Sequence, residues 1–273
     1  MKPAIRAFVP TLALRAAFTL LAMLALPNLA HAGRSCQPRD LSVPTVVKAM
    51  NLAVKSKEAL EKSGAQVAFI ARAGQDLSKY NLRYSHMAIV WRDHPKGQWL
   101  VVHELNACGT ATSAMFDEGL ANFFLDDMFA FETKILIPEE ASQQRLVKLL
   151  RQPQALAMHT AQYNMLSYAF STKYQNSNQW VLETYAAAQM GNEQVSRSQA
   201  QAWLKQAGFA PITLKISALT RLGGRMFRAN VAFDDHPTDR RMAGQIDTVT
   251  VDAVYRFFKQ REPQVQELEL FVK

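Results

Sequence analysis

The strongest constraint on this fold is a pair of seven-residue runs, His86–Arg92 (HMAIVWR) and Gln98–Glu104 (QWLVVHE), separated by Asp93-His94-Pro95-Lys96-Gly97. Both runs are rich in β-branched and aromatic residues, and the five residues between them have turn chemistry. Such a pattern predicts a β-hairpin, and so an antiparallel sheet with mates on either side. A further strand is expected before the hairpin at 66–72 (QVAFIAR) and one after it at 133–138 (TKILIP).

Helices alternate with these strands. Val47, Met50, Val54 and Leu60 recur at helical spacing over 44–63, with Pro44 suited to the first turn and Gly64 to the end. Residues 110–125 are compatible with helix or loop. Residues 139–152 read as a helix opened by acids, which its dipole favours, and stopped by Pro153. The stretch 163–174 is aromatic and polar, and reads as core or pocket wall. A helix is expected from Ser177 to about Met190, with Trp180, Val181, Thr184 and Ala188 along one side, and another over 196–207 before Gly208. Strands are expected at 212–217, 225–233 and 246–251, a helix at 252–261 with Asp252 as N-cap, and an alternating strand at 265–272. Gly223-Gly224 reads as a turn before a strand rather than a phosphate loop. No repeat or low-complexity linker interrupts the chain, so the fold class expected is α+β with an antiparallel sheet packed on helices.

The first 32 residues read differently. Lys2, Arg6 and Arg15 precede the apolar run AAFTLLAMLAL, Pro27 and Ala30-His31-Ala32. A basic region, a short apolar stretch and an A-x-A site are the parts of a cleavable signal peptide. The apolar run is shorter than the about 20 residues a membrane span needs. An uncleaved anchor is the competing reading, whereas Arg34 disfavours a lipid attachment at Cys36. Export to the periplasm or medium is therefore expected, with residues 33–273 as one α+β domain, a core at about 66–190 and a C-terminal subdomain from about 195 to 273. No transmembrane segment is expected after cleavage.

Charge narrows the partners. Of 31 Lys and Arg residues three lie in residues 1–32, leaving 28 against 23 Asp and Glu, or +5. These charges form no basic block and no aromatic-basic alternation, so nucleic acid is not an expected partner. An envelope substrate or protein partner of unspecified identity is. The six histidines show no metal-ligand spacing, and neither metal nor cofactor is expected. Asp126-Asp127 and Glu139-Glu140 read as solvated or helix-start acids. The two cysteines, Cys36 and Cys108, are expected to pair in an oxidising compartment, the alternative being a reactive thiol at Cys108.

Three polar residues sit at the ends of strong apolar elements: His86 opens the first hairpin strand, His103 lies near the end of the second, and Ser177 opens a helix. The hairpin can bring the two imidazoles together. A helix N-terminus favours developing negative charge, so a serine there with a histidine base has the logic of covalent catalysis. The same Ser177 can instead be a plain helix cap. Glu104 competes with His103 as the orienting residue, since alternation puts only one of them on a given face.

The segment YSHMAIVWRDHPKGQWLVVHELN resembles the paired-strand motif of the circularly permuted papain-like hydrolases and acyltransferases, the NlpC-type cell-wall amidases and the lecithin retinol acyltransferase group. Asn176-Ser177-Asn178-Gln179-Trp180-Val181 is similar to their N-C-x-x-[FW]-V pattern, with serine in place of cysteine. The resemblance implies a permuted papain-like core with His86 as base, His103 as orienting residue and Ser177 at the nucleophile position, and with Tyr84, Glu104, Asn176 and Trp180 as pocket or orienting candidates. It implies a hydrolase or acyltransferase acting on an amide or ester in the cell envelope. The serine leaves a non-catalytic binding or accessory protein as the alternative, because a hydroxyl is a poorer nucleophile than a thiolate. Over the whole exported part the chain resembles a bacterial family known as domain of unknown function 2145, through Gly33-Arg34-Ser35-Cys36, Asn106-Ala107-Cys108-Gly109 and YQNSNQWVLE.

Overall fold

The computed structural model describes residues 40–126, 128–191 and 194–273. The signal-peptide segment, Cys36 and Asp127 lie outside the described residues. The described residues all fall within one compact unit, Ala32–Lys273.

The hairpin forms as the sequence predicts. Strands β1 (Val67–Ala73), β2 (His86–His94), β3 (Gly97–Asn106), β4 (Ser113–Gly119), β5 (Ala130–Ile137) and β8 (Gln266–Phe271) make one sheet in the order β4-β3-β2-β1-β5-β8, every neighbour antiparallel. His94 pairs with Gly97, so β2 and β3 are joined through Pro95 and Lys96 alone. The stretch 110–125, expected as helix or loop, instead forms strand β4 followed by a short helix, α2 (Leu120–Leu125).

Helices cover both faces, which is why β1 is buried along its whole length. On one face lie α1 (Val43–Ser63) and α2 (Leu120–Leu125). Ala49, Leu52 and Leu60 of α1 and Phe123 and Phe124 of α2 meet Ala68, Ile70, Ala88, Val90 and Val101 of the sheet. On the other face lie α3 (Glu140–Leu150) and α5 (Ser177–Met190), the short α4 (Gln154–Ala157) following α3 in the chain. There α6 (Arg197–Gln206) and α9 (Val251–Arg261) complete a second core around Phe69, Ile89, Trp91, Trp180, Tyr185 and Phe258. Residues on one strand alternate between these cores, as the two-residue repeat of a pleated strand requires.

A smaller antiparallel pair, β6 (Ile212–Lys215) with β7 (Gln245–Thr248), carries α7 (Ala218–Phe227) and α8 (Thr238–Met242). Leu214, Ile216, Val231, Phe233 and Ile246 form its own core together with Leu82. The chain then returns to the main sheet through α9 and β8.

Four local expectations change. The helix α1 buries Ala49, Leu52, Ala53, Ser56 and Leu60, while Val47, Met50 and Val54 face solvent. The helix α5 has no single apolar side, because all of Ser177–Ala188 is buried. The strand expected at 225–233 is absent: Gly223-Gly224 lies inside α7. The N-cap of α9 is Thr250, whose side chain accepts from Ala253 N at 3.2 Å, and Asp252 occupies the first turn.

Candidate acid–base site

His86 and His103 project from the same face of the sheet, since His86 shares parity with Ala88 and Val90, and His103 with Val101. Their rings meet: His86 Nε2 lies 2.9 Å from His103 Nδ1. The neighbouring strand extends the chain, because β4 pairs Phe116 with His103 and so brings Glu118 to the same face. His103 Nε2 lies 3.3 Å from Glu118 Oε2, a close polar contact rather than a well-directed hydrogen bond. His103 is fully buried, whereas His86 and Glu118 are half-buried.

The surroundings fix the protonation pattern. Burial, together with the nearby Arg72 charge, holds the His103 imidazole below the usual histidine range, against the opposing pull of Glu118. The His103 contact in turn holds the Glu118 carboxyl below its usual range. A neutral His103 beside a carboxylate keeps its proton on Nε2 and offers Nδ1 as an acceptor. With that tautomer His86 donates from Nε2 to His103 Nδ1.

An ion pair and a packed ring form the floor of the site. Arg72, the register partner of His86, is buried, forms an ion pair with Asp126 and donates to the Phe123 carbonyl. The Phe123 ring packs under both imidazoles, with centroids 5.9 Å from His86 and 5.6 Å from His103. It also lies 4.7 Å from the Arg72 guanidinium.

Ser177 is not part of this cluster. It begins α5 on the opposite face of the sheet, where Ser177 Oγ donates to the Glu104 carbonyl at 2.7 Å. Glu104 also points to that face. Its carboxylate accepts from Ser113 Oγ at 2.7 Å, its other oxygen has no hydrogen-bond partner, and burial pushes the carboxyl up to about 8. Ser113 Oγ also lies 3.0 Å from His159 Nε2 and 3.4 Å from the Thr160 carbonyl, so its hydroxyl is enclosed by three partners. Alternation thus separates His103 from Glu104, and His103 is the one beside His86.

The other candidates have structural surroundings. Asn176 caps α5, its Oδ1 accepting from Gln179 N at 2.9 Å, while its amide reaches Thr248 Oγ1 at 3.3 Å. Trp180 is a fully buried core residue. Tyr84 is buried beside Lys134, and burial pushes its phenol up to about 12. Behind Ser177 the polar residues of α5 form an interior network. Glu183 accepts from Arg197 Nε at 2.7 Å, Gln201 Nε2 at 2.6 Å and Gln175 Nε2 at 2.7 Å. Much of the YQNSNQWVLE stretch therefore serves to seat α5.

Among the described residues no cysteine is free and no group of His, Cys, Asp or Glu has metal-binding geometry. Cys108 is not a free thiol, while its expected partner Cys36 lies outside the described residues. No helix among the described residues is long and apolar enough to cross a membrane.

Glu118 is the member that sequence reasoning missed. Its signal was available only as register: once β4 is a strand paired with β3, the residue two beyond the partner of His103 must share its face.

No curated protein and no solved structure is significantly similar to this chain. The profile of a bacterial family, described as uncharacterised proteins conserved in bacteria, matches residues 59–258 and so spans His86, His103, Glu118 and Ser177. The chain belongs to this family, domain of unknown function 2145.

Proposed function

We propose that this is an exported cell-envelope protein in which His86 acts as general base for cleavage of an amide or ester bond. The observation that carries the reading is the chain His86–His103–Glu118, in which a part-exposed imidazole is backed by a buried one and then by a carboxylate. That arrangement orients a base and stabilises its protonated form. The position of Ser177, with its proton committed to a backbone carbonyl, argues for water as the attacking group. His86 takes the proton of the attacking water, and the leaving amine or alcohol receives it as the carbon–heteroatom bond breaks. The motif likeness to the permuted papain-like enzymes supports the assignment of His86 as base and amide or ester bonds as the target class. Export is supported by the N-terminal basic, apolar and A-x-A segments.

The test is hydrolysis of a p-nitrophenyl ester and of peptidoglycan fragments by the wild type, His86→Ala, Glu118→Gln and Ser177→Ala. Activity is expected to vanish in His86→Ala, to persist in Ser177→Ala, and to show an altered pH profile in Glu118→Gln. Loss in Ser177→Ala with labelling of Ser177 by a fluorophosphonate would restore the serine as nucleophile. A second reading, a binding or accessory protein without turnover, is favoured by the burial of the serine at the position where the resembled enzymes carry their cysteine. Absence of turnover in the folded wild type decides for it, whereas turnover unchanged in a folded His86→Ala removes His86 as the base.

A further inference from the structure

The helix α7 is built the wrong way round for a globular protein. Leu219, Leu222 and Met226 stand at i, i+3 and i+7 and so form one stripe. They are 81 %, 57 % and 63 % exposed, and Met242, the last residue of α8, is 73 % exposed. The side that packs is the opposite one. A Cβ added at Gly224 would meet Val231 Cγ1 at 3.4 Å and Phe233 Cε2 at 4.0 Å, and both residues belong to the small domain core. Gly224 is two residues from Leu222 and from Met226, about 200° around the helix axis. The helix therefore seats through a glycine and turns its large apolar side chains outward.

Ser217 caps the helix, accepting from Thr220 N at 3.2 Å. Basic residues flank the stripe: Arg225 and Arg228 are exposed and carry no ion pair among the described residues. Arg221, on the packed side, donates to the Ile216 carbonyl at 2.6 Å. Arg241, beside Met242, reaches the Phe233 carbonyl at 3.5 Å. An exposed apolar stripe bordered by unpaired arginines matches a surface that is apolar within and negatively charged at its rim. A bilayer with anionic headgroups has that layering, and such helices lie in its plane.

We propose that α7 is an interfacial membrane-binding element that inserts Leu219, Leu222 and Met226 below the headgroups of an anionic bilayer, with Arg225 and Arg228 at the phosphates. This holds whether or not His86 is a catalytic base.

Flotation of the full chain with vesicles of phosphatidylglycerol and phosphatidylcholine tests it, against vesicles of phosphatidylcholine alone. Because the apolar N-terminal segment is present in every variant, the comparison isolates α7. The triple variant Leu219→Ser/Leu222→Ser/Met226→Ser is expected to weaken binding by about a hundredfold or more, given the transfer free energy of three large apolar side chains. Arg225→Gln/Arg228→Gln is expected to weaken it by about tenfold and to flatten its salt dependence. All five side chains are surface groups, and an unchanged circular-dichroism melt verifies the fold. Four outcomes overturn the proposal: no binding by the wild type, equal binding by the triple variant, equal binding to both vesicle types, or a wild-type dimer that the triple variant splits. The last would assign the stripe to a second copy of the chain.

Discussion

Replacing Glu104 by glutamine isolates a single buried proton. The carboxyl is fully buried, accepts one hydrogen bond from Ser113 Oγ, and leaves Oε2 without a partner. Burial raises it from 4.5 to about 8. The sign follows from linkage: a group whose pKa is raised on folding contributes stability that is complete below its unfolded value and is lost as pH rises through the folded one. The wild type should therefore lose stability between about pH 4.5 and 8 at up to about 1.4 kcal/mol per pH unit, and about 4–5 kcal/mol in total as an upper limit. Internal relaxation lowers that figure, and a change of about 2 kcal/mol or more is expected. Glu104→Gln keeps an acceptor for Ser113 and removes the titration. Glu183, whose carboxyl is also raised by burial, is present in both proteins and cancels in the difference. Urea unfolding followed by tryptophan fluorescence from about pH 5 to pH 9 measures this. The variant should gain on the wild type steadily as pH rises. A difference that stays constant within about 0.5 kcal/mol over that range would refute a neutral buried Glu104.

Other perturbations probe other parts of the fold. Arg197→Met leaves Glu183 buried and uncompensated, and should cost about 3–5 kcal/mol in chemical denaturation; a cost below about 1 kcal/mol would mean that the cluster reorganises around the neutral acid. His103, held low by burial, should titrate below the ordinary histidine value in the folded protein. Its stabilising share is then lost as pH falls below the unfolded value, and an imidazole NMR titration at or above the ordinary value contradicts this. Gly244→Ala should destabilise by about 1–3 kcal/mol, because φ is +74° and the new Cβ would lie 3.1 Å from the Ile216 carbonyl; unchanged stability would show that the turn relaxes. Ser177→Ala should cost only about 1 kcal/mol, the value of the hydrogen bond to the Glu104 carbonyl, measured by the same unfolding assay.

Local features are the ones legible along the chain. The two β-branched runs and their turn specify the hairpin, and with it the meeting of His86 and His103. Capping residues placed α1, α5 and α6 within a residue or two of their ends, because caps act on adjacent backbone groups. The sheet face taken by each polar side chain was a tertiary decision. His103 and Glu104 are equivalent in pattern until α2 covers one face and α5 the other, and only that layering sends Ser177 away from His86. Register likewise brought Glu118 to His103, across a strand that local propensity left ambiguous. The 218–233 stretch shows the same limit in reverse: its glycines read as a turn, yet Gly224 is where a helix approaches Val231 and Phe233. Spacing along the chain carries periodicity and caps, but the choice between two faces of a sheet depends on what distant segments bury there.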